Sequence, residues 1–152
     1  MKLRIVCMLV FSLVFAVSGY AETLQDYKAR SQDEEAIKTL LLSWQNSGNK
    51  GDVAGVLSKL TDDFQIHHDI GGSRDQIENK KQYGEGLPAR MKRNPTVIIG
   101  TPEIEIKEDT ATVRAVLDTT RRDLKTTFYL QRANGEWLIS KIEYVVIGGR
   151  RR

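Results

Sequence analysis

The side chains with the widest chemical range in this chain sit together at His67-His68-Asp69. They lie within Phe64-Gln65-Ile66-His67-His68-Asp69-Ile70, where apolar residues recur at every second position. That alternation predicts a strand with Phe64, Ile66, His68 and Ile70 on one side and Gln65, His67 and Asp69 on the other. Neighbouring strand residues face opposite ways, so His67 and His68 cannot share one metal ion. His67 and Asp69 do share a side, but two ligands fall short of the three or four that zinc takes. The chain has 2 His and a single Cys, Cys7. No metal site and no cofactor are expected. His68 is the better candidate for chemistry. Among apolar neighbours facing a pocket, a neutral imidazole can act as a general base or hydrogen-bond a ligand. A histidine at the edge of a core that simply bonds a backbone carbonyl is the plainer alternative.

A general base needs a group that polarises the substrate. Tyr83, Tyr129 and Tyr144 are candidates, because a tyrosine hydroxyl can stabilise an oxyanion in a dry pocket. A tyrosine at a sheet edge also commonly buries its ring and leaves its hydroxyl wet. Catalytic roles are thus expected at His68, Tyr83 and Tyr129, and ligand contacts at Trp44, Phe64, Ile66, His68 and Ile70. Trp44 and Trp137 can stack on a ligand or simply fill core. Lys80 and Lys81, with Arg90, Lys92 and Arg93, form either a basic rim or a solvated face. Arg114 and Asp118 alternate against Val113, Ala115 and Leu117, which puts them on the far side of a sheet.

These residues must be held by helices first and strands later. Ser31-x-x-Glu34 has the form of a capping box, and Ile37, Leu40, Leu41 and Trp44 follow as one helical stripe, ended by Asn46-Ser47-Gly48. Val53, Val56, Leu57 and Leu60 repeat the spacing behind Asp52 as cap. Thr61-Asp62-Asp63 breaks the pattern before the strand of the two histidines. Ser73-x-x-Gln76 predicts a third helix carrying Ile77, with Gly84, Gly86 and Pro88 interrupting it. After Pro95 the pattern changes to strands at 96–100, 103–107, 110–120, 125–132 and 137–146, with a hairpin signal at Asn134-Gly135. The order is α+β. Three helices must cover one face of a mostly antiparallel sheet, leaving a pocket between the two layers.

Composition sets the cellular expectation. Lys2 and Arg4 precede an apolar run at 5–17, followed by small residues at Gly19 and Ala21. That is the layout of a secretory signal peptide over 1–21, and the run is short of the roughly 20 residues a spanning helix needs. A secreted or periplasmic protein with no stable membrane anchor is expected, divided into a flexible lead-in at 22–30, one domain at 31–147 and a basic tail at 148–152. Loss of Lys2 and Arg4 would take 23 basic residues to 21, against 20 acidic ones. The near balance gives no support to nucleic-acid binding. Cleavage would also remove Cys7, leaving stability to the core alone.

The paired helices with Trp44, the passage Leu60-Thr61-Asp62-Asp63-Phe64, the start Gly72-Ser73-Arg74-Asp75-Gln76-Ile77 and the closing Gly135-Glu136-Trp137-Leu138-Ile139 together resemble the NTF2-like superfamily. Its members include SnoaL-like proteins, ketosteroid isomerases and scytalone dehydratases. The resemblance covers about 34–146 and rests on order and spacing rather than on one motif. It implies a cone: three helices on the concave face of a strongly curved sheet, a pocket between them, and often a homodimer through the outer sheet face. It implies no catalytic residue, because the scaffold serves isomerases, dehydratases, binders and interaction modules alike. The expectation is an exported domain binding a small, largely apolar ligand or a protein partner without catalysis. The alternatives are an isomerase, dehydratase or hydrolase using His68 with a tyrosine, and an interaction module acting through the outer sheet face.

Overall fold

The computed structural model of the chain describes residues 22–69, 76–92 and 95–149. The expected signal segment at 1–21, Ile70, the Gly71-Gly72 turn, Ser73, Arg93 and the arginines at 150–152 lie outside the described residues. Two helices come first, α1 (Gln32–Lys50) and α2 (Val53–Leu57), followed by strands β1 (Leu60–Asp69) and β2 (Gln76–Asn79). Then come helix α3 (Lys80–Met91) and strands β3 (Thr96–Lys107), β4 (Thr110–Thr119), β5 (Arg122–Ala133) and β6 (Glu136–Gly149). The six strands form one sheet in the order β2-β1-β6-β5-β4-β3. All neighbours are antiparallel except β1 and β6, which run parallel. The architecture is α+β, as the order of elements predicts.

The helices lie on one face of this sheet, with α1 against β3 and β6, α3 against β1 and β2, and α2 between the other two helices. Alternation decides what enters the space between. Ala111, Val113, Ala115 and Leu117 of β4 are buried, whereas Arg114 is exposed on the other side. Phe64, Ile66, Phe128, Leu130, Ile139 and Ile142 meet the stripe Ile37, Leu40, Leu41 and Trp44. Burial of this apolar area is the main stabilising term, at roughly 25 cal/mol per Å². The sheet bends where its register shifts, as between Ile99 and Glu103, where Gly100 takes a φ of 73°. A bulge of this kind bends a strand, and only glycine adopts that φ without strain.

Three expectations need correction. The third helix does not start at Ser73-x-x-Gln76. Gln76 and Ile77 pair with His68 and His67 as strand β2. The working capping box is Asn79-x-x-Gln82: Asn79 Oδ1 accepts from the Gln82 N–H at 3.0 Å, and Gln82 Oε1 accepts from the Asn79 N–H at 3.0 Å. Nor do Gly84, Gly86 and Pro88 break α3. Gly84 lets α2 approach, because a Cβ there would stand 3.1 Å from Leu57 Cδ1.

The lead-in at 22–30 is docked, not loose. Leu24 is fully buried, its N–H donates to Ile98 O at 3.0 Å, and Thr23 forms a bridge with Ile99. The segment thus covers part of the exposed edge of β3. Glu34 holds its other end. Ser31 caps α1 by accepting the Glu34 N–H at 3.1 Å, but the Glu34 carboxylate turns to the lead-in. It accepts from the Arg30 N–H at 2.7 Å, from the Arg30 guanidinium and from the Tyr27 hydroxyl at 2.8 Å. These donors, Arg30 foremost, lower its pKa from 4.5 to about 2 against the cost of burial.

Candidate functional site

The last turns of α3 do not close fully on the mouth end of the sheet, and a cavity of about 300 Å³ remains there. Its floor is Trp44 of α1, Val56 of α2 and Leu117 of β4; its wall toward β1 and α3 is His68, Tyr83 and Arg90. Tyr144 of β6 lines it beside His68, which is the cross-strand partner that the parallel register dictates. The two rings stand 5.6 Å apart at 39°.

Most of the wall area is apolar; of the polar side chains that line it, Gln45, Asn49 and Thr119 are held by backbone partners, whereas His68 and Arg90 are incompletely partnered. Arg90 Nη2 donates to Glu78 at 2.6 and 2.8 Å. Its Nη1 is buried without any hydrogen-bond partner, as is His68 Nε2. His68 Nε2 lies 3.6 Å from Glu78 Oε1, beyond hydrogen-bond reach. Burial lowers the His68 pKa and Arg90 adds to this, while Glu78 opposes it; the imidazole is neutral at pH 7. Burial likewise raises the Tyr83 pKa to about 12, against the opposing Arg90 cation and Trp44 indole. The Trp44 N–H lies next to that hydroxyl but completes no hydrogen bond. Tyr144 is raised well above the ordinary phenol value by the same desolvation. Both phenols therefore remain protonated donors. The lining thus includes two protonated phenols and one guanidinium nitrogen without a partner.

Of the residues expected from the sequence, the structure brings Trp44, His68 and Tyr83 together at the cavity. Phe64 and Ile66 are fully buried on the same side of β1 as His68 but pack in the core, with Phe64 tilted on Tyr83 at 5.3 Å. They support the site and do not line it. Ile70 lies outside the described residues. Tyr129 is a correction. It alternates with the buried Phe128 and Leu130, so it points to the outer face. There its hydroxyl donates to Glu143 at 2.9 Å. The sheet has two sides, and the run 125–132 does not by itself say which one Tyr129 takes. Trp137 stacks under Arg132, 4.5 Å from its ring centre, and is away from the cavity. Among the described residues no three His, Cys, Asp or Glu side chains gather as metal ligands, and no helix is long and apolar enough to cross a membrane.

Glu78 was missed because the Ser73 box placed it in a helix. The Asn79-x-x-Gln82 box is the signal that would have found it. It frees 76–79 to be a strand, and a hairpin with β1 then puts Glu78 opposite Ile66, on the His68 side.

The sequence matches no protein-family model, and no curated protein matches it. Solved structures do. An NTF2-like protein from Cytophaga hutchinsonii ATCC 33406 superposes with a TM-score of 0.66 at 12% identity, over 77% of this chain and 100% of that one. An NTF2-like protein of unknown function from Shewanella baltica OS155 gives 0.65 at 16%, over 80% and 99%. A protein of cystatin-like fold from Nostoc punctiforme PCC 73102 gives 0.65 at 17%, over 79% and 95%. At these identities the likeness shows the fold alone: the chain has an NTF2-like fold.

Proposed function

We propose that this protein is an exported binder of a small, largely apolar molecule, held in the cavity between the helices and the sheet. One observation carries the reading: about 300 Å³ of mostly apolar space whose buried polar atoms, His68 Nε2 and Arg90 Nη1, have no partner in the protein. Buried nitrogens left unpaired cost about 1–3 kcal/mol each, and a ligand acceptor would recover that. Catalysis by His68 draws less support. A general base works best when a second group orients it, and Glu78 stands 3.6 Å from its Nε2 rather than within hydrogen-bond reach. The outer face draws less support as a docking surface. Its centre is polar, with Tyr129, Glu143, Lys141 and Arg114; of the exposed apolar residues, Ile77 stands apart on the edge strand β2, and Val97, Val145 and Ile147 lie toward one end.

Gly48 lines the cavity from α1, and a Cβ there would meet only Val56 Cγ2, at an ordinary 4.0 Å. Gly48→Leu should therefore fill the space while the fold survives. The neutral dye N-phenyl-1-naphthylamine is expected to bind the unmodified protein with a fluorescence rise, and to lose that binding in the variant. Equal dye binding by both folded proteins, or none by either, would sink the proposal.

A further inference from the structure

The cavity's charges narrow the kind of molecule it takes, and this step rests on reading the cavity as a ligand site. A guanidinium carries five N–H donors. Arg90 gives only Nη2 to Glu78, through contacts to both carboxylate oxygens, and leaves Nη1 buried and unpartnered at the cavity wall. Beside it a second chamber of about 190 Å³ shares His68, Thr119, Leu124 and Tyr144 with the first and continues toward Arg121 and Arg122. Those two arginines are presented by a built turn. The buried Thr119 donates its hydroxyl to Arg122 O at 2.7 Å and accepts from the Arg122 N–H at 3.1 Å and the Arg121 N–H at 3.4 Å. The path from the outer chamber to the deep apolar floor thus passes cations at both ends of its polar stretch. Asp69 also lines the outer chamber, and Glu78 stands beside Arg90, so the cations exceed the carboxylates there by one.

We propose that the ligand is an amphipathic organic acid: an apolar body seated on Trp44, Val56 and Leu117, and a carboxylate that accepts from the Arg90 guanidinium, whose side chain lines the cavity. Arg121 and Arg122 draw the acid to the mouth, and Tyr144 offers a further O–H beside the path. A charge-assisted bond to guanidinium is about twice as strong as a neutral one, so the acid is distinguished from a shape-matched amide.

The test is a calorimetric titration of the whole protein with 2-naphthoate and with 2-naphthamide, which share size and shape. The naphthoate is expected to bind about tenfold tighter, the amount that one charge-assisted contact supplies. Arg90→Gln keeps a donor for Glu78 and should abolish the difference by weakening naphthoate alone. Glu78→Gln removes the competing negative charge and should strengthen naphthoate while leaving naphthamide unchanged. If both probes bind equally, or Arg90→Gln leaves the preference intact, the acid assignment is wrong while the cavity remains a ligand site. Failure of both probes, together with failure of the neutral dye, would remove the cavity reading itself. Circular dichroism of each variant separates these outcomes from loss of fold.

Discussion

On the outer side of the sheet Tyr129 donates to Glu143 at 2.9 Å, and Lys141 closes on the same carboxylate while standing over the Tyr129 ring. One residue further along β6, on the inner side, Tyr144 faces His68, and among the described residues no hydrogen bond holds its hydroxyl. Both faces carry a tyrosine, a histidine, a glutamate and a long cation, all on neighbouring strands except Arg90, which comes from α3. Outside, Tyr129, Glu143 and Lys141 satisfy one another, while His67 Nε2 stays buried without a partner; the Tyr129 pKa is raised, chiefly by its bond to Glu143. Glu143 is lowered, because bonds from Lys141 and Tyr129 outweigh its desolvation. Inside, desolvation dominates for His68 and Tyr144: Arg90 pairs with Glu78, but His68 stays 3.6 Å from that carboxylate. The outer Tyr129–Glu143–Lys141 set thus makes its bonds within itself, whereas the inner His68 and Arg90 each keep a nitrogen without a partner. Alternation along a strand assigns residues that are adjacent in sequence, His67 and His68 or Glu143 and Tyr144, to these opposite duties.

Truncation should expose this contrast most strongly. Trp44 is 6% exposed, packs edge-on to Phe128 with ring centres 5.4 Å apart and forms the cavity floor. Trp44→Ala should cost about 3 kcal/mol, the lower part of the range for large aromatics, because the space beside it is already open. Tyr129→Ala outside should cost clearly less, since its ring is only half-buried. Urea titrations of both variants measure this, and an outer loss as large as the inner one would contradict the division of labour.

Removing only the hydroxyls is a finer probe. Tyr129→Phe deletes the bond to Glu143 and should lower stability by about 1 kcal/mol. Tyr144→Phe deletes no internal bond and should change stability by less than about 0.5 kcal/mol, within the range of changes that leave no group unpaired. The same variant should weaken 2-naphthoate binding to the cavity, which Tyr129→Phe should leave unchanged.

Much of the fold was legible because its elements have strong periods. The stripe of α1 and the alternation of β4 and of β1 from Phe64 onward depend on side chains that either face the core or do not, and the sequence writes that directly. What failed was punctuation. Two capping-box forms, Ser73-x-x-Gln76 and Asn79-x-x-Gln82, lie six residues apart, and only pairing of Gln76 and Ile77 with β1 decides between them. That pairing is a tertiary contact which overrides local propensity. Gly84 read as a breaker because a glycine that admits a neighbouring helix looks the same as one that ends its own. The site was legible at Trp44, His68 and Tyr83. Glu78 was lost with the cap, and Tyr129 was placed on the wrong side because a run of tyrosine, threonine and lysine does not show which face is wet.

A pH dependence tests the inner face without any ligand. His68 has its pKa lowered below the ordinary 6.5 by burial, with Arg90 acting in the same direction and Glu78 against it. The folded protein therefore binds this proton less readily than the unfolded chain does. The neutral imidazole's contribution is fully present above about 6.5 and is lost as pH falls from there through the folded value. Glu34 acts in a separate window. Its folded pKa of about 2 lies below the ordinary 4.5, so the stability it lends is present above 4.5 and is lost only as pH falls from 4.5 toward 2. Urea midpoints measured from pH 7.5 to 3 should show two steps. His68→Gln should remove the upper step, and Glu34→Gln should reduce the lower one, leaving the part that Glu143 and Asp26 supply. An upper step that survives in His68→Gln would mean that another group titrates there. The buried imidazole would then be no guide to how dry the cavity is.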